Sequence, residues 1–167
     1  MDRTGARTVN TLPKNLPADA RRAATVKAVV ALAATQNPND ITTTAIAQHM
    51  QLTQGALFRH FANKDAILQA VMEWVAEQLL ARIDAAAVTA DSPLAALQAV
   101  FLAHVDFVAQ HPGVPRIIFS ELQRAGATEP KRLVQALLAR SATPVRHLLA
   151  QAQAQGQLHA ALPLQAA

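Results

Sequence analysis

The sequence predicts an all-α fold: an N-terminal three-helix helix-turn-helix domain joined by a long helix to a C-terminal helical bundle. Three observations predict it. Hydrophobic residues make up 51% of the 167 positions, much of it Ala and Leu, while Gly and β-branched residues are sparse, a helix-forming composition. Apolar residues recur at threes and fours, with no strand-like alternation. Capping residues stand where each apolar run begins: Thr42, Thr53, Asn63 and Ser92.

Residues 1–17 hold Gly5, Pro13, Pro17 and scattered polar groups and read as a disordered basic arm. A helix is expected from about Ala18 to Thr35, with Val26, Val29, Val30 and Ala33 on one stripe. Pro38 stops it by forcing its predecessor out of the helical region. Thr42 caps a short helix running to Met50, in which Ile46 and Met50 share a face. Gln51 and Leu52 make a tight turn. Thr53 caps a second short helix, Gln54 to Phe61, with Leu57 and Phe61 facing inward.

Asn63 caps a long helix from Lys64 to about Ala86, striped by Ile67, Leu68, Val71, Val75, Leu79 and Ile83. At 1.5 Å per residue it spans roughly 34 Å, enough to link two modules. Ser92-Pro93 starts the next helix, whose expected stripe is Leu94, Leu97, Phe101, Val105 and Val108. A shorter helix follows from about Val114 to Gln123. Another runs from Glu129-Pro130 to about Gln155, closed by Gly156, with Pro144 expected to kink or divide it. Leu162-Pro163 reads as the start of a helix that is not completed.

Two short helices, a tight turn and a supporting helix make a helix-turn-helix, whose second short helix enters the DNA major groove. That reading accounts for an odd stretch, LTQGALFRHFANKDAIL, at Leu52–Leu68. Leu57 and Phe61 anchor the helix, while Gln54, Ala56, Arg59 and His60 face outward. Gln pairs bidentately with adenine and Arg with guanine. Gly55 allows close approach to a groove wall, against a helix-propensity loss of about 1 kcal/mol. Lys64 places a cation at a helix N-terminus, which costs a few tenths of a kcal/mol unless an anion such as a phosphate lies there.

The segment ITTTAIAQHMQLTQGALFRHFANKDAIL resembles the DNA-binding segment of the tetracycline-repressor (TetR) family of bacterial transcription regulators. The agreement lies in Thr42, Ile46-Ala47, Leu52-Thr53, Gly55, Leu57, an aromatic at Phe58, His60-Phe61, Lys64 and Leu68, over roughly Ala20 to Val71. The resemblance implies that Thr42, Thr53, Phe58 and Lys64 hold phosphates, and that Gln54, Gly55, Arg59 and His60 lie at or near bases. Thr43, beside the first cap, joins this DNA-facing set. It also implies homodimers on palindromic operators, with repression relieved by a small-molecule effector in the C-terminal helices. Three departures stand out. Gln51 replaces a usual Gly at a turn position that often needs positive φ, which Gln adopts at a strain of about 1 kcal/mol. Phe58 replaces a usual Tyr and loses its hydroxyl. Residues 65–167, the ligand-binding and dimerisation part beyond a DNA-binding domain at 18–64, read as shortened at the C-terminus.

Charge divides the same way. Through Lys64 there are eight basic against three acidic residues, +5; the rest carries seven against eight, −1. Such asymmetry points to a polyanion partner at the N-terminal end. Phe101, His104, Phe107 and Phe119 are candidates for an effector cavity between bundle helices, each weighed against ordinary core packing. His104 and His111 lie seven apart, but no third ligand stands at metal-site spacing, so no metal and no cofactor is expected. No catalytic constellation, phosphate loop or nucleophile elbow is present, so an enzyme is not expected. The chain has no cysteine, which suits a reducing cytoplasm. No window of about twenty residues reads as apolar enough for a bilayer. The competing functions are a helical protein-interaction module and a small-molecule carrier that does not bind an operator.

Overall fold

A computed structural model describes residues 17–159; the arm at 1–17, Pro17 apart, and the Leu162-Pro163 segment lie outside them. Among the described residues the regular structure is entirely helical: α1 (Ala18–Thr35), a 3-10 turn (Pro38–Asp40), α2 (Thr43–His49), α3 (Gln54–Phe58), α4 (Lys64–Val88), α5 (Pro93–Gln110), α6 (Gly113–Gln123) and α7 (Glu129–Ala154). The expected caps are in place. The side chains of Thr42, Thr53, Asn63 and Ser92 each accept a hydrogen bond from the backbone N–H three residues on, at 3.1, 3.1, 2.8 and 3.2 Å. Helix α3 is shorter than its sequence suggests, ending at Phe58 with Arg59 as C-cap, although Leu57 and Phe61 are both buried as expected.

The α2–α3 turn shows why Gln51 stands out. Its φ is +57°, the one positive value at a non-glycine among the described residues. Leu52 N–H donates to the Ala47 carbonyl at 2.8 Å, and Gln51 N–H to the Gln48 carbonyl at 3.0 Å. This paired closure of a helix C-terminus requires the left-handed residue at Gln51. The same arrangement closes α7, with Gln157 N–H on the Ala152 carbonyl and Gly156 N–H on the Gln153 carbonyl, but there the left-handed position is a glycine, at φ +69°.

One continuous core cluster joins all the major helices. The whole expected stripe of α4 is buried, from Ile67 to Ile83, so α4 packs against α1 at one end and against α5 and α7 at the other. Helix α5 departs from expectation. Of its predicted stripe, Phe101 is 67% exposed, and Leu94 and Val105 also face solvent, while Ala96, Val100 and Phe107 turn inward. The physical reason is that α5 is apolar on every side, with Asp106 its single charge, so periodicity alone cannot choose a face. The small Ala96 and Val100 are the residues of α5 that are buried with Phe107. By length and composition α5 is also the one described helix that could cross a bilayer, at mean hydropathy 1.3; the expectation that no window reaches this level is corrected. Pro144 does not divide α7, which runs unbroken through it. Hydroxyls of Ser141 and Thr143 donate to the Leu138 and Ala139 carbonyls in the turn before the proline.

Helix α6 lies against the first helices along one stripe. Gly113 leaves no room for a Cβ beside the Val30 carbonyl. Arg116 Nη1 donates to the Ala34 carbonyl at 3.1 Å, Ser120 Oγ to Asn39 Oδ1 at 2.7 Å, and Arg124 Nη1 to Asp65 Oδ1 at 2.8 Å. Positions 113, 116 and 120 fall on one face of α6, and Arg124 follows as its C-cap.

Candidate nucleic-acid interface

Helix α3 has five residues, too few to hold a helix by its own hydrogen bonds. Leu57, 1% exposed, and Phe61, 2% exposed, press it onto the core. The cap at Thr53 fixes its start, and Gln54 Nε2 donates to Thr43 Oγ1 at 2.8 Å, tying α3 to α2. What remains on the far side is an exposed edge: Thr42, Thr53, Gln54, Gly55, Phe58 and Arg59 all face solvent. Phe58 is 42% exposed, an apolar ring that the core leaves in solvent. A Cβ at Gly55 would meet nothing within 4 Å, and its φ is not positive, so nothing inside the chain requires glycine at that position.

Thr43, His60 and Lys64 are half-buried. Lys64 extends toward the 3-10 turn, where its Nζ lies 3.4 Å from the Asn39 carbonyl. Burial, followed by the nearby Arg124 charge, pulls its pKa below the ordinary lysine value. Lys64 belongs to a five-charge group with Asp40, Asp65, Glu121 and Arg124: Arg124 bridges Asp65 and, at 3.4 Å, the buried Glu121.

The sequence reading missed Arg22, Asn39, Ser120 and Arg124. Arg22 on α1 donates from Nη1 to the His60 carbonyl at 2.9 Å, and its Cζ lies 4.6 Å from the centroid of the Phe61 ring. None of these partners lies within a helical turn of the others, so no local pattern signals them; a cation in the second turn of α1 was the available hint for Arg22.

The four effector-cavity candidates do not share one environment. His104, Phe107 and Phe119 border a cavity of about 190 Å³ between α4, α5, α6 and α7. Phe101 and His104 border a neighbouring one of about 390 Å³. His104 and Ser141 line both and are the polar side chains in either wall. Phe107 is a core residue, 1% exposed, its ring 6.3 Å from Trp74 and 4.9 Å from His111, with Arg82 Cζ 4.9 Å above it. Burial and then the Arg82 charge lower the His111 pKa. No group of three or more His, Asp or Glu able to hold a metal occurs among the described residues.

Residues 23–71 match the family described as bacterial regulatory proteins, tetR family. The chain is similar to nucleoid occlusion factor SlmA of Marinomonas sp., 29% identical over 93 residues, covering 56% of this chain and 47% of that protein. It is similar also to SlmA of Alteromonas mediterranea, 24% identical over 129 residues, covering 77% and 66%. The chain thus spans about half the length of several curated relatives it matches. Among solved structures, the ketosteroid transcriptional regulator KstR2 of Mycobacterium tuberculosis superposes with a TM-score of 0.76 at 20% identity, over 92% of this chain and 76% of the other. Bacillus subtilis FadR in complex with stearoyl-CoA gives 0.71 at 17%, over 86% and 76%. At these identities the structural likeness shows the fold.

Proposed function

We propose that the chain, whose residues 23–71 match the tetR family of bacterial regulatory proteins, is a DNA-binding transcriptional regulator, a repressor released by a small-molecule effector. The observation that carries this reading is the exposed edge of α3, where Gln54, Gly55, Phe58 and Arg59 face outward from a helix held behind by Leu57 and Phe61. In this reading Gln54 and Arg59 meet base edges, Gly55 gives clearance, and His60 lies close by. Phe58 contacts a thymine methyl or a sugar. Thr42, Thr43, Thr53 and Lys64 meet phosphates, and the two threonine caps keep their capping bonds while doing so.

Residues 18–64 form the DNA-binding domain and 65–167 the effector and dimerisation part. A homodimer matches a palindromic operator, each protomer taking one half-site. The effector enters the paired cavities around His104 and Ser141, with Phe101, Phe107 and Phe119 near its path. Their apolar walls suit a lipophilic molecule, and the stearoyl-CoA held by the FadR relative supports that class. No residue set is assigned to catalysis, and the protein acts in the cytoplasm, where DNA and effector are both accessible.

Fluorescence anisotropy on random duplexes tests the DNA reading. Binding that weakens linearly with log salt is expected, with a slope of about −0.9 for each phosphate contacted. Salt-independent or absent binding sinks it and favours the carrier. One observation favours a second reading, a protein-interaction module: Phe101, Leu102 and Val105 form an exposed apolar face on α5. A monomer by light scattering that does not bind duplex DNA would support that alternative.

A further inference from the structure

Besides the buried Leu57 and Phe61, the C-terminal end of α3 takes a hydrogen bond from a side chain 38 residues away in sequence. At its N-terminal end α3 has the Thr53 cap and the Gln54–Thr43 hydrogen bond. At the other end the helix has already opened at Arg59, and His60 N–H reaches back to the Leu57 carbonyl at 3.1 Å. The next carbonyl, that of His60, receives the Arg22 guanidinium. The same planar group covers the Phe61 ring. One edge of the guanidinium thus fixes a backbone oxygen while its face rests on an aromatic plate, a combination that lysine cannot reproduce. Arg22 is itself exposed, so it contributes little to the core.

We propose that Arg22 is a positioning residue for base recognition: by holding the His60 carbonyl and the Phe61 ring together, it fixes the tilt of α3 and hence the aim of Gln54 and Arg59. The inference rests on the reading of that edge as the one that meets bases. Leu57 and Phe61 seat this five-residue helix on the core, while the aim of Arg59, just past its last turn, depends on how the His60–Phe61 backbone is held. Bidentate pairing to a base tolerates little swing, whereas a contact to a phosphate oxygen tolerates more. Loss of Arg22 therefore lowers discrimination between sequences and leaves the general attraction to DNA nearly intact.

The test compares wild type, Arg22→Gln and Arg22→Lys as full chains. Each is titrated with a duplex selected by the wild type and with a scrambled duplex of equal length, across a salt series, with melting temperature and active fraction recorded. The expected result for Arg22→Gln is a fall of about tenfold in the ratio of selected to scrambled affinity, the loss of one well-aimed base contact. Affinity for the scrambled duplex and the salt slope stay at their wild-type values. Arg22→Lys keeps the charge but not the flat plate and lies between the two. A ratio equal to wild type in both variants overturns the inference, since a purely structural role moves only the melting temperature and the active fraction. A salt slope reduced by about one also overturns it, because Arg22 would then be a phosphate ligand. A wild-type chain with no sequence preference overturns the DNA reading itself; a preference that survives in both variants overturns this inference alone.

Discussion

Helices α3 and α5 are opposites. Helix α3 has five residues and sharply different faces: a capped start at Thr53, a buried leucine behind, and an exposed outer edge of which only Gln54 is tied to the chain, through Thr43. Helix α5 has 18 residues, a single charge, and an apolar surface on every side. The short helix has one orientation compatible with its sequence, and the structure adopts it. The long one has several, and neighbouring small residues decide among them. Specification comes from chemical contrast between faces, not from length or hydrophobicity.

The sharpest way to break this comparison is to truncate one phenylalanine in each region. Phe61→Ala behind α3 removes a buried ring and should cost about 3–5 kcal/mol of unfolding free energy. Phe101→Ala on α5, at an exposed site, should stay within about 0.5 kcal/mol of wild type. Urea denaturation of the two variants checks both, and comparable losses would mean that α5 buries Phe101 after all.

Two glycines offer the next contrast. Gly113→Ala forces a methyl against the Val30 carbonyl and should destabilise by about 1–3 kcal/mol or more, as overpacking does. Gly55→Ala meets open space and should gain up to about 1 kcal/mol in helix propensity. In the DNA reading it nevertheless weakens binding, because the methyl would face the groove. Calorimetry paired with anisotropy separates the two effects, and a Gly55→Ala chain that melts higher and binds DNA as well as wild type removes the proposed close approach.

Gln51→Gly should raise stability by about 1 kcal/mol, since glycine takes the left-handed conformation without the strain that Gln51 bears at φ +57°. Thermal melting reads this directly. The smallest effect expected is a pH dependence at His111. Its folded pKa lies below the unfolded value near 6.5, first through burial and then through Arg82. The unfolded chain therefore binds the proton more readily, and this contribution to stability is full above about pH 6.5 and falls as pH drops toward the folded value. His111→Gln should flatten that part of the pH profile of unfolding, and an identical profile would argue against the assignment.

The sequence disclosed most where residues carry distinctive chemistry. Thr42, Thr53, Asn63 and Ser92 marked helix starts to the residue, because an N-cap combines a side-chain type with a position. The αL residue at Gln51 was legible through its departure from glycine. Of the outward edge, Gln54 and Arg59 were legible because leucine and phenylalanine at 57 and 61 fix the inner face, whereas Ala56 and His60, expected outward with them, are half-buried and Gly55 and Phe58 are exposed instead. What stayed hidden was long-range. The pairing of Arg22 with His60, of Ser120 with Asn39, and of Arg124 with Asp65 depends on how α1 and α6 meet the helix-turn-helix, and no local period encodes it. Lys64 was expected at the DNA surface, and its partial burial beside Asn39 follows from the same tertiary approach. The orientation of α5 was hidden for the opposite reason, an excess of equivalent apolar residues.

The central claim is that the outer edge of α3 reads bases. The most direct measurement is selection of bound sequences from random DNA, performed in parallel with wild type and with Gln54→Ala/Arg59→Ala. The account predicts a palindrome for the wild type, its half-sites about one helical turn apart, and a loss of preference at defined positions in the variant, worth about 1–3 kcal/mol for each side chain removed. The same motif recovered with undiminished preference from both proteins would contradict it.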